Sequence, residues 1–241
     1  MAGELRAVPR DPKRVARLAT TTDAPRADTR HGGRGYPAAM SLTYGSEPMN
    51  KGRLEAFSDG VIAILITIMV LELHVPQGAD SKTLFSLKWV FLSYVLSFIY
   101  LGIYWNNHHH MFQATQRING MVLWANLHLL FWLSLIPFAT GWMGENQIAP
   151  LPTAVYGVVL LLSGVAFIIL QRAIIACPGG AQLEAAVGRD VKGRVSAAMY
   201  VAAIPLAFVH EWFAYAIYVL VAMMWFVPDP RIESMLTAQR D

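Results

Sequence analysis

From Gly60 to Leu71 the chain carries no charged residue, and the cluster Arg53, Glu55 and Asp59 stands directly before that run. At about 1.5 Å per residue, a helix from Arg53 to Leu73 spans roughly 30 Å, the thickness of a bilayer's hydrocarbon core. At about 100° per residue, Arg53, Phe57, Gly60, Ile64, Ile68 and Leu71 share one stripe, with Thr67 at its edge. Ser58 and Asp59 point to other faces, where they meet neighbouring helices. An ionisable group inside such a segment is costly and marks a candidate functional position. Periodicity alone leaves two readings open: an ordinary lipid-facing span with an interfacial Asp, or a helix whose stripe lines a path.

The same alternation of apolar runs and breakers predicts five further spans. After a turn at His74–Asp80, rich in Pro and Gly, the second runs from about Leu84 to Asn107. The third runs from about Ile118 to Trp142, with Pro137 bending it, and the fourth from Pro152 to Ala176, stopped by Pro178, Gly179 and Gly180. A polar connector ends at Arg189–Arg194. The stretch from Val195 to Val227 is too long for one crossing and reads as two spans turning at His210, Glu211 and Trp212. Trp212, Tyr215 and Trp225 suit interfacial positions in the sixth.

Charge agrees with an even number of crossings. Of the 19 Lys and Arg residues, all but Lys82 and Lys88 fall on one side of this arrangement. By the positive-inside rule, both termini are then cytoplasmic and the protein is a multi-pass component of the cell (inner or plasma) membrane. Residues 1–50, rich in Arg, Pro, Gly and Thr and lacking apolar period, read as a disordered basic tail with no secretory signal. Met40 or Met49 could serve as the start, and Thr43-Tyr44-Gly45 lies in this tail and is no potassium filter. Residues 51–228 form the transmembrane domain and 229–241 a short tail.

Composition sharpens the class. The 241 residues are 55% hydrophobic and 15% charged, which excludes an average soluble domain. The net charge of +3 comes from loops and tails and implies no nucleic-acid partner. Cys177 has no partner for an internal disulfide and reads as a bystander thiol. No phosphate-binding loop, nucleophile elbow, paired catalytic carboxylates or dinucleotide fingerprint is present, so an enzyme is not expected.

The second polar constellation is Trp105, Asn106, Asn107, His108, His109 and His110, at the end of the second span on the side of Arg53. Consecutive helical residues point about 100° apart, whereas metal ligands sit a turn apart, so no metal is expected here. Hydrogen bonding across helices fits better, because a buried Asp59 needs donors. Asn126 and His128 in the third span read likewise as interhelical hydrogen-bonding groups. Gly157 and Gly164 in the fourth permit close packing.

Arg53-x-x-x-Phe57-Ser58-Asp59, followed by the Ile/Thr/Leu-rich span and Leu71-Glu72-Leu73, resembles the first-helix signature of the transmembrane protein 175 family of potassium-permeable channels. Trp105, His108 and His109 resemble the family's Trp-x-x-His-His pattern, and the likeness covers roughly Lys51 to Pro228. The resemblance implies an all-α, six-span channel, assembled as a homotetramer, with the pore lined by the first helix of each subunit. On it rest further expectations: Ile64 as the tightest constriction, with Ile68 and Leu71 continuing the wall; Thr67 as a selectivity layer; Glu72 at the outer mouth. Arg53, Phe57, Ser58, Asp59, Trp105, Asn106 and His108 would brace the pore helix.

Function follows as potassium conduction, weakly selective over sodium because no carbonyl filter is present, with permeant potassium and no cofactor. Two rivals remain at this point: proton conduction or proton-coupled transport through Asp59 and His108–His109, and a metalloenzyme on His108–His110. The bracing role predicts that Asp59→Asn disrupts assembly, whereas the proton relay predicts lost flux in an assembled protein.

Overall fold

Apolar runs interrupted by capping side chains, Pro and Gly become helices in the computed structural model, which describes residues 51–115, 117–188 and 190–226. The regular elements among them are all helices: α1 (Lys51–Leu71), α2 (Ser81–Ser86), α3 (Lys88–Gln113), α4 (Gly120–Ser134), α5 (Ile136–Glu145), α6 (Pro150–Ile175), α7 (Ala181–Val187), α8 (Val191–Val209) and α9 (Glu211–Phe226). The expected tails at 1–50 and 229–241 lie outside the described residues.

Capping explains most starts. Asp80 opens α2 by accepting from the Thr83 N–H at 2.9 Å, Asn119 opens α4 toward Val122 at 3.0 Å, and Asp190 opens α8 toward Gly193 at 3.0 Å. Pro150 and Pro152 stand in the first turn of α6, where a missing N–H costs nothing. Hydrogen bonds from Thr83 hold the exposed Asp80 carboxyl below its ordinary value of 3.8. That cap is therefore complete above the ordinary value and is lost as pH falls through the lowered one.

The boundaries differ from expectation in three places. The second span begins at Lys88 and not Leu84, because Ser81–Ser86 forms the separate helix α2 and the chain turns at Leu87. The third breaks at Leu135 into α4 and α5, with Pro137 in the first turn after the break. The fifth begins at Val191, so Lys192 and Arg194 belong to α8 and not to the connector, because the Asp190 cap starts the helix earlier than hydropathy does. The turn at His210 stands as expected, with His210 extended between α8 and α9.

Among the described residues, five segments are long and apolar enough to cross a membrane: Lys51–Leu71, Lys88–Gln113, Gly120–Glu145, Pro150–Ile175 and Val191–Val209. The helix α9 has 16 described residues, about 24 Å, which falls short of the hydrocarbon thickness. A sixth crossing therefore rests on the charge distribution and the turn at His210.

Packing around α6 organises the bundle. This helix lies against α4, α5, α8 and α9, while α3 joins α1 to α5 and α9. Because lipid tails are as apolar as Leu, helices in a membrane are held by close packing and interhelical hydrogen bonds. Both are present. Ser97 bonds Thr140 at 2.6 Å and Tyr156 at 2.9 Å, tying α3 to α5 and α6. The Tyr100 hydroxyl donates to the Tyr218 carbonyl at 2.6 Å and the Tyr218 hydroxyl to the Thr153 carbonyl at 3.0 Å, tying α9 to α3 and α6.

Of the two expected packing glycines, one is used. The Tyr218 hydroxyl occupies the space a Gly157 Cβ would take, whereas a Gly164 Cβ would meet only the Tyr104 hydroxyl, at 3.8 Å. Gly157→Ala thus forces a buried, hydrogen-bonded ring to move, at a cost of about 1–3 kcal/mol. The expected result is a lower melting temperature in detergent, with Gly164→Ala near wild type; equal melting of the two variants sinks this account.

Candidate functional site on the first helix

Two faces of α1 have opposite fates. Leu54, Ser58, Ile62, Leu65 and Met69, spaced by three and four residues, are buried against α3, α4 and α5. The opposite stripe stays open: Phe57 is 52% exposed, Ile64 57%, Ile68 40% and Leu71 76%, with Gly60 and Thr67 exposed among them. Exposed apolar side chains are ordinary on lipid-facing helices. This stripe differs by having an exposed charge at each end, Arg53 and Glu72, and a hydroxyl within it. Thr67 Oγ1 donates back to the Ile64 carbonyl at 2.9 Å, which leaves the oxygen's lone pairs outward. Glu72 is exposed, and its carboxylate lies beside α5, 3.6 Å from where a Gly141 Cβ would stand.

The rotation of α1 is held by two sets of contacts. The first is a buried relay. His108 Nε2 meets Asn126 Oδ1 at 2.9 Å, Asn126 Nδ2 donates to Ser58 Oγ at 2.8 Å, and Ser58 donates to the Leu54 carbonyl at 2.9 Å. All three side chains are fully buried. Because Asn126 offers its oxygen to the imidazole and its amide to Ser58, His108 carries its proton on Nε2. Among the described residues, His108 Nδ1 has no hydrogen-bond partner, nor does the buried His110 Nδ1. The second set lies nearer the surface, where Trp105 Nε1 donates to Asp59 Oδ1 at 3.1 Å and His109 Nδ1 approaches Glu55 Oε1 at 3.5 Å. Trp105 stacks on His109, and Gln113 bonds the other nitrogen of His109 at 2.7 Å.

The structure thus brings together Ser58, Asp59, Trp105 and His108 among the expected bracing residues. Arg53, Phe57 and Asn106 are exposed and make no hydrogen bond or ion pair with the described residues of this chain. The three consecutive histidines diverge: His108 faces α4, His109 faces α1, and His110 joins neither contact. No group of three His, Cys, Asp or Glu among the described residues is placed to hold a metal. Asn126 does bond between helices as expected, but His128 accepts from Trp132 within its own helix at 2.9 Å.

Glu55 escaped the sequence reading. Its signal was available, since Glu55 and Asp59 on α1, and Trp105 and His109 on α3, each stand four apart and pair as helices run antiparallel. The central position of Asn126 between His108 and Ser58 has no such signal, because it depends on where α4 docks.

Known proteins resemble much of this chain. A family described as the endosomal/lysosomal potassium channel TMEM175 matches residues 53–137, from α1 to the start of α5. A potassium channel of Chryseobacterium sp. (strain P1-3) is 52% identical over 189 residues, 78% of this chain and 98% of that protein. The human endosomal/lysosomal proton channel TMEM175 is 34% identical over 105 residues, 39% of this chain and 21% of that protein. Among solved structures, the crystal structure of a lysosomal potassium-selective channel TMEM175 homolog from Chamaesiphon minutus aligns with TM-score 0.65 and 29% identity, covering 73% of this chain and 95% of that one.

Proposed function

The chain belongs to the TMEM175 family, and from that premise we propose that it is a potassium-permeable channel, a conductor and not a catalyst, in which four copies surround a pore lined by α1. The observation that carries this reading is the open stripe of α1, which a single chain leaves uncovered and which a ring of copies turns inward. Ile64 is the narrowest ring, and Ile68 and Leu71 extend the wall; apolar rings of this kind close by dewetting. Thr67 presents its outward oxygen one turn beyond Ile64, and Glu72 raises the cation concentration at the mouth. Arg53, Phe57 and Asn106, open in the single chain, then act between subunits, while Ser58, Asp59, Trp105 and His108 hold α1 at its angle. The chain crosses the cell membrane six times with both termini in the cytoplasm, between a basic tail at 1–50 and a short one at 229–241, and needs no cofactor beyond the permeant ion.

The test is flux into liposomes bearing purified protein, with potassium or sodium gradients and a proton-sensitive dye. Potassium flux exceeding sodium flux is expected; no flux overturns conduction, and equal flux overturns selectivity. Thr67→Ala should lower the potassium-to-sodium ratio severalfold while the oligomer elutes unchanged from a sizing column. An unaltered ratio removes Thr67 from the selectivity layer.

Proton conduction through Asp59 is the competing reading, and the contacts do not favour it. Asp59 bonds Trp105, and among the described residues no hydrogen-bonded path joins it to His108. The half-exposed Asp59 also revises what its substitution does. Asparagine keeps the acceptor oxygen for Trp105, so Asp59→Asn should assemble and conduct potassium within about twofold of wild type. Lost flux in an intact oligomer would transfer the argument to a proton relay.

A further inference from the structure

A second site lies away from the α1 stripe, in an open-sided pocket between α3, α6, α8 and α9 with about 60 Å³ of water-accessible space. Ligand sites are commonly walled by apolar and aromatic groups with a few converging polar ones. Here the walls include Tyr104, Phe167, Tyr200 and Trp225. Gly164 keeps the space open, since a Cβ there would meet nothing nearer than the Tyr104 hydroxyl at 3.8 Å.

The polar groups of this cavity lean one way. Asp190 is the one formally charged residue among those lining it, and no Lys or Arg is among them. Asp190 adopts φ +26°, an uncommon left-handed backbone for a residue with a side chain, and Gly193 is what lets its carboxylate come close, because a Cβ there would clash with it. Asn107 spends its amide on the Ile103 carbonyl at 2.8 Å, which leaves its oxygen as an acceptor toward the cavity. The Tyr104 hydroxyl makes no hydrogen bond with the described residues. Aromatic faces attract cations through their quadrupoles, and the effect grows where water is excluded.

We propose that this cavity binds an organic ammonium ion, a protonated amine on an apolar or aromatic body, with Asp190 as its counter-ion and Asn107 as an acceptor. A fatty acid or a lipid phosphate would meet a carboxylate and acceptor oxygens with no lining cation to offset them. The site stands whether or not the chain conducts potassium, since none of its residues is on α1.

The test is binding of 3-phenylpropylamine to purified full-length protein in detergent, by calorimetry and by thermal shift, beside 3-phenylpropanol and 3-phenylpropanoate. Saturable binding of the amine is expected, at least tenfold tighter than either analogue, with a raised melting temperature. Asp190→Asn, whose side chain still caps α8, should weaken amine binding about tenfold. Gly164→Leu, which fills the cavity, should abolish it, and potassium flux should be unchanged in both variants. The proposal is overturned if the amine does not bind, if the alcohol or carboxylate binds as tightly, or if Asp190→Asn binds like wild type. A co-purified phospholipid that the amine fails to displace, seen by native mass spectrometry, overturns it equally.

Discussion

Replacing Ile64 with Asn raises potassium flux roughly tenfold and brings the potassium-to-sodium ratio close to one. Each 1.4 kcal/mol removed from a barrier is worth a factor of ten, and an apolar ring that excludes water holds a barrier of at least that size. Ile64 has no packing duty in its own chain: it is 57% exposed, and the buried face of α1 is carried by Ile62 and Leu65 on either side of it. The substitution therefore changes the wetting of the path without opening a hole in the bundle. Asparagine has as many side-chain heavy atoms as Ile but is smaller, and it supplies a donor and an acceptor to water, so the ring both widens and hydrates. Selectivity relaxes because a hydrated ion then passes without surrendering its shell. The measurement is initial flux in potassium-loaded and sodium-loaded liposomes at matched protein density. Currents indistinguishable from wild type would remove Ile64, and with it the α1 stripe, from the conduction path.

Asn126→Leu should destabilise the protein by about 2–3 kcal/mol, more than any other single polar substitution around α1. Asn126 is fully buried and spends both halves of its amide, one on His108 and one on Ser58. Leucine has nearly the right volume but no polar atom, so His108 is left with neither ring nitrogen bonded, its Nδ1 being unpartnered already. A buried donor without a partner costs about 1–3 kcal/mol, although measured interhelical bonds in membranes average less. Ser58 keeps its bond to the Leu54 carbonyl, which limits the loss on that side. Trp105→Phe supplies the contrast, because the Trp105–Asp59 bond lies at an exposed position and should be worth less than about 1 kcal/mol. Thermal unfolding in detergent of Asn126→Leu, Ser58→Ala and the double variant tests the relay. The double variant should cost clearly less than the sum of the singles, and strict additivity would show that Asn126 and Ser58 do not act together.

Much of this was legible in the residues themselves. Uncharged runs of the right length located the apolar spans, and Pro137 and His210 marked the break and the turn where they occur. Hydropathy misjudged starts where a cap or a short helix intervenes, at Lys88 and at Val191, because apolar content says where a helix is buried and not where its first hydrogen bond forms. The α1 stripe itself was read correctly in phase, since Ser58 breaks the otherwise uniform apolarity and marks the packed side.

What the sequence determined by itself is therefore what depends on local composition and period: helical spans and the membership of the Ile64 stripe, because helix geometry makes every position's direction a function of its number. Which polar groups meet was settled only by docking. Three adjacent histidines look equivalent along the chain, yet His108 reaches Asn126, His109 reaches Glu55 and His110 reaches neither, since each leaves α3 about 100° from the next and finds a different neighbour. The same holds for the cavity beside Asp190, whose residues come from four helices separated by as many as 120 positions or so and share no pattern that a linear reading could detect. Contacts between helices depend on rotation and depth, and those are fixed by the summed packing of the whole bundle.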